Sequence, residues 1–168
     1  MKTRAMQVLD RAGVSYTVQE FQEEELGADE VAEKLGLPLA QVLKTLVVRG
    51  DRTGVVLACL PGTATLSLKA LARASGNKQV ELVETDDILR LTGYIRGGVS
   101  PFGGKKAYPV YVDESALAQP TVSVSAGMRG MQLFLAPQEL IRASQGTVAS
   151  LGDPIGSAGP PQRRRHDR

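Results

Sequence analysis

Apolar residues recur at three- and four-residue steps in the opening TRAMQVLDRAGV, where Ala5, Met6, Leu9 and Ala12 share one face. The spacing predicts a short amphipathic helix that Gly13 closes in a left-handed turn. SYTVQEF then alternates Tyr16 and Val18 before Phe21, as a strand does, and GADEVAEKLGL predicts a second helix with acids in its first turn and a glycine at its end. VLKTLVVRGDRTGVVLACLPG reads as two β-rich runs joined by a loop longer than two residues. Both runs are almost continuously apolar, which places them at the centre of a sheet covered on both faces. SLKALARASG is a helix with Ser67 as N-cap and Gly76 as its stop. ETDDILRLTG is another, capped by Thr85 or Asp86 and closed by Gly93. Strands around YPVYV, PTVSVS and MQLFLA and a final helix PQELIRAS complete the pattern. Strands and helices mix without a βαβ rhythm. The expected fold is therefore α/β, a single domain with a mixed, mostly antiparallel, barrel-like sheet and helices outside it.

Composition sets the boundaries. A chain of 168 residues suits one domain. After Leu151 the text GDPIGSAGPPQRRRHDR is nearly devoid of apolar residues, so residues 1–151 are read as the domain and 152–168 as a disordered tail. No run of about 18 apolar residues and no secretory opening is present, and the expected location is cytoplasmic, away from membranes. The net charge of +2 hides an uneven distribution. Glu20 to Lys34 carries seven acids against one lysine, the tail from Pro160 carries four arginines against Asp167, and the remaining body is basic. An anionic partner and ordinary surface charge both account for that body.

Standard catalytic equipment is missing. The one histidine, His166, stands in the arginine tail, and the one cysteine, Cys59, lies in the apolar run VVLACLPG, where a buried inert thiol is expected. Neither a phosphate-binding glycine loop with its lysine nor a zinc-type spacing occurs, and no metal or cofactor is expected. GYIRGGVSPFGGKK, from Gly93 to Lys106, holds five glycines, and its backbone is free to bind an oxyanion or a phosphate or simply to connect two elements. Lys44 is a lone charge in QVLKTLVV that either snorkels at a strand end or lines a pocket. VSAGMRG, from Val124 to Gly130, is a hairpin turn or a further pocket wall.

Taken together, DEVAEKLGL, QVLKTLVV, LKALARASGNKQVE, TGYIRGGVSPFGGKK and VSAGMRG resemble the YbaK and prolyl-tRNA-synthetase-associated editing domains, in the order and spacing of that family and over the whole chain except the tail. The resemblance implies a trans-editing deacylase that hydrolyses mischarged tRNA, foremost Cys-tRNA(Pro), in some members beside prolyl-tRNA synthetase. It implies that Lys44 is essential and Thr45 lines the site. By the same resemblance Gly97, Gly98, Ser100 and Pro101 bring backbone to the scissile ester, and Ser125 and Gly127 form another wall. Lys105 and Lys106, at the basic loop end, are expected to contact tRNA. The mechanism it implies needs no enzyme nucleophile, because the substrate's own thiolate attacks the ester carbon and leaves as a thiolactone. Gly97 and Gly98 amides are then expected to hold the oxyanion.

Two positions depart from the family pattern. Phe21 stands where a tyrosine is common, with a shortened linker to Asp29, and Gln132 stands where an aspartate is common. Loss of a hydroxyl and a carboxylate alters pocket polarity, so Ala-tRNA(Pro) or another small aminoacyl-tRNA, cleaved by water, stays open as a substrate. A non-catalytic tRNA or synthetase adaptor is the reading of another class.

Overall fold

The computed structural model describes residues 2–22 and 26–154. Helix α1 (Arg4–Arg11) is capped by Thr3, whose hydroxyl accepts the Met6 N–H at 3.2 Å, and it buries Ala5, Met6 and Leu9. Strand β1 (Thr17–Glu20) and helix α2 (Ala28–Leu35) follow, the latter ending at Gly36 with φ 67°. Strands β2 (Leu43–Gly50) and β3 (Gly54–Pro61) form the expected hairpin, in register from Leu43 opposite Pro61 to Gly50 opposite Gly54. Then come β4 (Ala64–Leu66), α3 (Leu68–Ser75), β5 (Val80–Leu82), α4 (Thr85–Thr92) and β6 (Val110–Asp113). The described chain finishes with β7 (Val122–Ser125), β8 (Met131–Leu135), α5 (Pro137–Ser144), β9 (Thr147–Ala149) and β10 (Gly152–Pro154).

The strands make a five-stranded sheet ordered β5-β2-β3-β6-β9, a three-stranded sheet ordered β1-β8-β7 and the pair β10-β4. Only β3–β6 and β6–β9 pair in parallel among the named strands, so the architecture is mixed and mostly antiparallel. No closed barrel forms among the described residues. The two larger sheets touch through a parallel bridge between Val42 and Ser123. Alternation along the central hairpin divides the core. Leu43, Val47, Val55, Leu57 and Cys59 join one apolar cluster with α1, β7 and β8, while Leu46, Val48, Val56, Ala58 and Leu60 join a second with α3 and β4.

Three local expectations are corrected. Helix α4 begins one residue earlier than either expected cap allows: Glu84 is its cap residue and Thr85 is already helical. The alternation of SYTVQEF does not mark a buried face: strand β1 pairs with β8 alone and is exposed along its whole length, whereas β7 on the other edge of that sheet is buried. The boundary placed after Leu151 falls too early. Leu151 is fully buried, its N–H donating to Asp113 Oδ1 at 2.7 Å, and β10 continues from it along β4. Backbone pairing holds Gly152–Pro154 where no apolar side chain signals it. The rest of the expected tail, residues 155–168, lies outside the described residues.

The β2–β3 turn is secured from outside by Asn77. Its Oδ1 accepts the N–H groups of Arg52 at 2.8 Å and Thr53 at 3.0 Å, and its Nδ2 donates to Thr53 Oγ1 and Ser75 Oγ. Gly50 carries no side chain because a Cβ there would come within 2.2 Å of Asn77 Nδ2. Asn77→Ala strands two turn amides, and urea unfolding should show a loss of about 2–3 kcal/mol at an unchanged m-value.

Candidate active site

A cavity of about 660 Å³ opens where the start of β2 meets the first turn of α2, the loop after α4 and the ends of β7 and β8. Val42 to Leu46 form its floor, Asp29 and Glu30 one wall, and Arg96, Gly97 and Val99 the other, with Ser125 and Gln132 at the back. Lys44 and Thr45 both line it, yet consecutive strand residues leave a sheet on opposite faces. Lys44 lies opposite Leu60, on the face of the α3 cluster. Thr45 lies opposite Cys59, with its Oγ1 3.5 Å from Cys59 Sγ. The cavity therefore wraps around the end of β2, and Lys44 is half-buried at that turn rather than out in solvent.

Two glycine-rich loops clamp each other to make the far wall. Gly97 adopts φ 85° and Gly127 φ 100°, both in the region that favours glycine. A Cβ on Gly98 would sit 3.1 Å from the Met128 backbone, and one on Gly127 would sit 2.9 Å from the Tyr94 ring. Arg129 Nε donates to the Arg96 carbonyl at 2.8 Å, and the Tyr94 hydroxyl donates to the Phe102 carbonyl. The Gly97 and Gly98 amides differ. Gly98 N–H donates to Ile95 O at 2.9 Å and is consumed by the turn, whereas Gly97 N–H has no acceptor among the described residues. Of these two amides, Gly97 is the one without a protein acceptor among the described residues.

The other expected residues divide into lining and supporting positions. Asp29, Thr45, Ser125 and Gln132 line the cavity with Lys44 and Gly97. Ser125 Oγ accepts the Gly127 N–H at 3.1 Å, and Gln132 Oε1 accepts the Ser123 hydroxyl at 2.6 Å, so both back-wall residues are held in place. Ser100 and Pro101 are buried behind the loop, with Ser100 Oγ accepting the Phe102 N–H at 3.4 Å. Phe21 packs beside the Val31, Ala32 and Val42 cluster and gives its N–H to Gly130 O, so it braces the cavity from outside. Lys105 and Lys106 are exposed and do not line the cavity. Arg96, Glu30 and Thr65 are lining residues that sequence reading passed over. Arg96 stood inside GYIRGGVSP, where a cation beside the glycines was the available signal.

Neither reactive-looking side chain near the site is poised to ionise. Burial pushes the Cys59 thiol up to about 11, against a smaller lowering by the Thr45 hydrogen bond. Burial likewise pushes the Tyr94 phenol up to about 12, against the opposing charge of Arg4. Both groups are neutral when protonated, and both ionise more easily in the unfolded chain. Their contribution to stability is complete below about pH 9 and is lost as pH rises through 11 and 12. Urea midpoints should be level from pH 7 to 9 and fall beyond that. No histidine lies among the described residues.

The fold is shared with a candidate trans-editing enzyme for prolyl-tRNA synthetase, whose crystal structure matches with a TM-score of 0.81 at 28% identity, over 89% of this chain and 95% of that one. The profile of the aminoacyl-tRNA editing domain matches residues 22–143. The chain belongs to the aminoacyl-tRNA editing domain family, and its reaction class is aminoacyl-tRNA deacylation. It is 45% identical over 152 residues to the candidate Cys-tRNA(Pro)/Cys-tRNA(Cys) deacylase EbsC of Enterococcus faecalis, covering 89% of this chain and 93% of EbsC. A 78-residue stretch is 33% identical to part of the proline–tRNA ligase of Thermosipho africanus, covering 46% of this chain and 14% of the ligase. No helix among the described residues is long and apolar enough to cross a membrane.

Proposed function

We propose that this chain clears mischarged tRNA in trans, with Cys-tRNA(Pro) as its principal substrate, in the cytoplasm and alongside prolyl-tRNA synthetase. The observation that carries the reading is the convergence of Lys44, Thr45 and the open Gly97 amide on one cavity whose size suits a nucleotide-bearing ligand. Cys59 is fully buried, so the sulfur for the reaction comes from the substrate.

The cysteinyl thiol loses its proton to solvent, and the thiolate attacks its own ester carbonyl carbon. As the S–C bond forms, negative charge moves to the carbonyl oxygen, which Gly97 N–H and the Lys44 ammonium stabilise, each such donor contributing about 3 kcal/mol in sites of this kind. Collapse breaks the C–O ester bond, the terminal ribose oxygen takes a proton from water, and the thiolactone leaves to be opened by water. Asp29 and Glu30 on the opposite wall suit the substrate's α-ammonium group, and Gln132 with Ser125 sets the polarity around the side chain.

Incubation with Cys-tRNA(Pro), Ala-tRNA(Pro) and Pro-tRNA(Pro) tests the reading. The cysteinyl ester should disappear, the prolyl ester should persist, and S-carbamidomethylation of the cysteinyl group should block its loss. Faster cleavage of Ala-tRNA(Pro) would assign the attack to water, and survival of all three esters would assign the chain to an adaptor role.

A further inference from the structure

The two rims of the cavity carry opposite charge. On one side the first turn of α2 presents Asp29 and Glu30, with Glu33 on the same helix. On the other, Arg96 lines the cavity and its carbonyl is gripped by Arg129. Three residues before Arg96 the loop passes Gly93, where a Cβ would lie 3.4 Å from Lys105 Cβ and 3.7 Å from Arg4 Nη1. Gly103 rests on the Arg4–Ala5 backbone, Lys105 Nζ reaches Arg90 O at 3.4 Å, and Lys106 sits 5.9 Å over the Tyr108 ring. The start of α1 and the end of the glycine loop thus form one exposed basic face. Asp10 on α1 is engaged by Lys2 and Tyr16, and Asp87 on α4 by Arg90, so neither neutralises it.

A tRNA whose terminal ester occupies the cavity must lead its phosphates out over one rim. The α2 carboxylates repel that backbone, and the arginine rim and the face beyond it attract it. Resting on the reading above, we propose that the acceptor end of the tRNA leaves the cavity past Arg96 and Arg129 and runs across Arg4, Lys105 and Lys106. The last two were expected to meet tRNA from sequence, but Arg4, about a hundred residues earlier in the chain, becomes part of the same surface only in the fold.

Binding of an uncharged acceptor-stem minihelix, followed by fluorescence anisotropy across 50–200 mM salt, tests this independently of catalysis. The double variant Arg4→Glu/Lys105→Glu should bind about tenfold more weakly, and the slope of log Kd against log salt should fall by about 1–2, as expected when one or two phosphate contacts are lost. Lys106→Glu alone should show a smaller shift of the same kind. Arg49→Glu/Arg73→Glu, an equal charge change at exposed positions on β2 and α3, should leave both quantities unchanged, and thermal melts of all variants confirm folding. Equal weakening by the two double variants, or an unchanged slope in the first, overturns the proposal. Absence of ester cleavage by the wild-type chain would instead sink the deacylase reading and leave this surface standing.

Discussion

Lys44→Ala should lower deacylation of Cys-tRNA(Pro) by about 10²–10³-fold, mostly in kcat, while the melting temperature stays within a few degrees of the wild type. The size follows from removing a cation where negative charge develops in a water-restricted cavity, a loss of about 3–4 kcal/mol. Stability is spared because Lys44 is half-buried at the cavity wall and contributes no apolar contact to either central cluster. Lys44→Arg keeps the charge but changes its reach and geometry, and intermediate activity is expected. Single-turnover kinetics with circular dichroism melts check both halves of the statement. Near wild-type turnover in Lys44→Ala would remove the lysine from the mechanism.

Gly127→Ala should fail in the opposite manner, losing stability and activity together. Position 127 has φ 100°, which a side chain tolerates poorly, and the added carbon would lie 2.9 Å from the Tyr94 ring. The Tyr94 hydroxyl anchors the Phe102 carbonyl, so displacing the ring shifts the loop that carries Gly97. Backbone strain and overlap together cost about 2–4 kcal/mol, a fall in melting temperature of about 6–12 °C. Activity should drop by at least tenfold even at temperatures where the variant is fully folded, because the Gly97 amide proposed to receive the oxyanion moves by a fraction of its hydrogen-bond length. A variant with wild-type kinetics below its melting point would show that the two glycine loops are not mechanically linked.

Much of the chain was legible because its signals are local. Ser67 caps a helix and Gly36, Gly76 and Gly93 stop helices, as their side chains or lack of them dictate. The central hairpin announced itself by two continuous apolar runs around a polar turn, and its residues pack on both faces. What escaped was short or long-range. Strands β4, β5, β9 and β10 have three residues each, too few to show a period. The exposure of β1, against the burial of β7 on the opposite edge of the same sheet, depends on what packs over each strand, which no feature of TVQE encodes.

The site divides in the same way. From sequence came the reaction family, Lys44 and Thr45 as candidate site residues, the glycine loop and the buried Cys59, since residue type and order carry these. The fold decided which of those groups face one another: it placed Lys44 and Thr45 on opposite faces of β2, spent the Gly98 amide on Ile95, left the Gly97 amide open, and brought Arg96 into the wall. The physical reason is that a hydrogen bond or a rim charge belongs to a pair of groups, and the second member of each pair is chosen by packing between segments far apart in the chain.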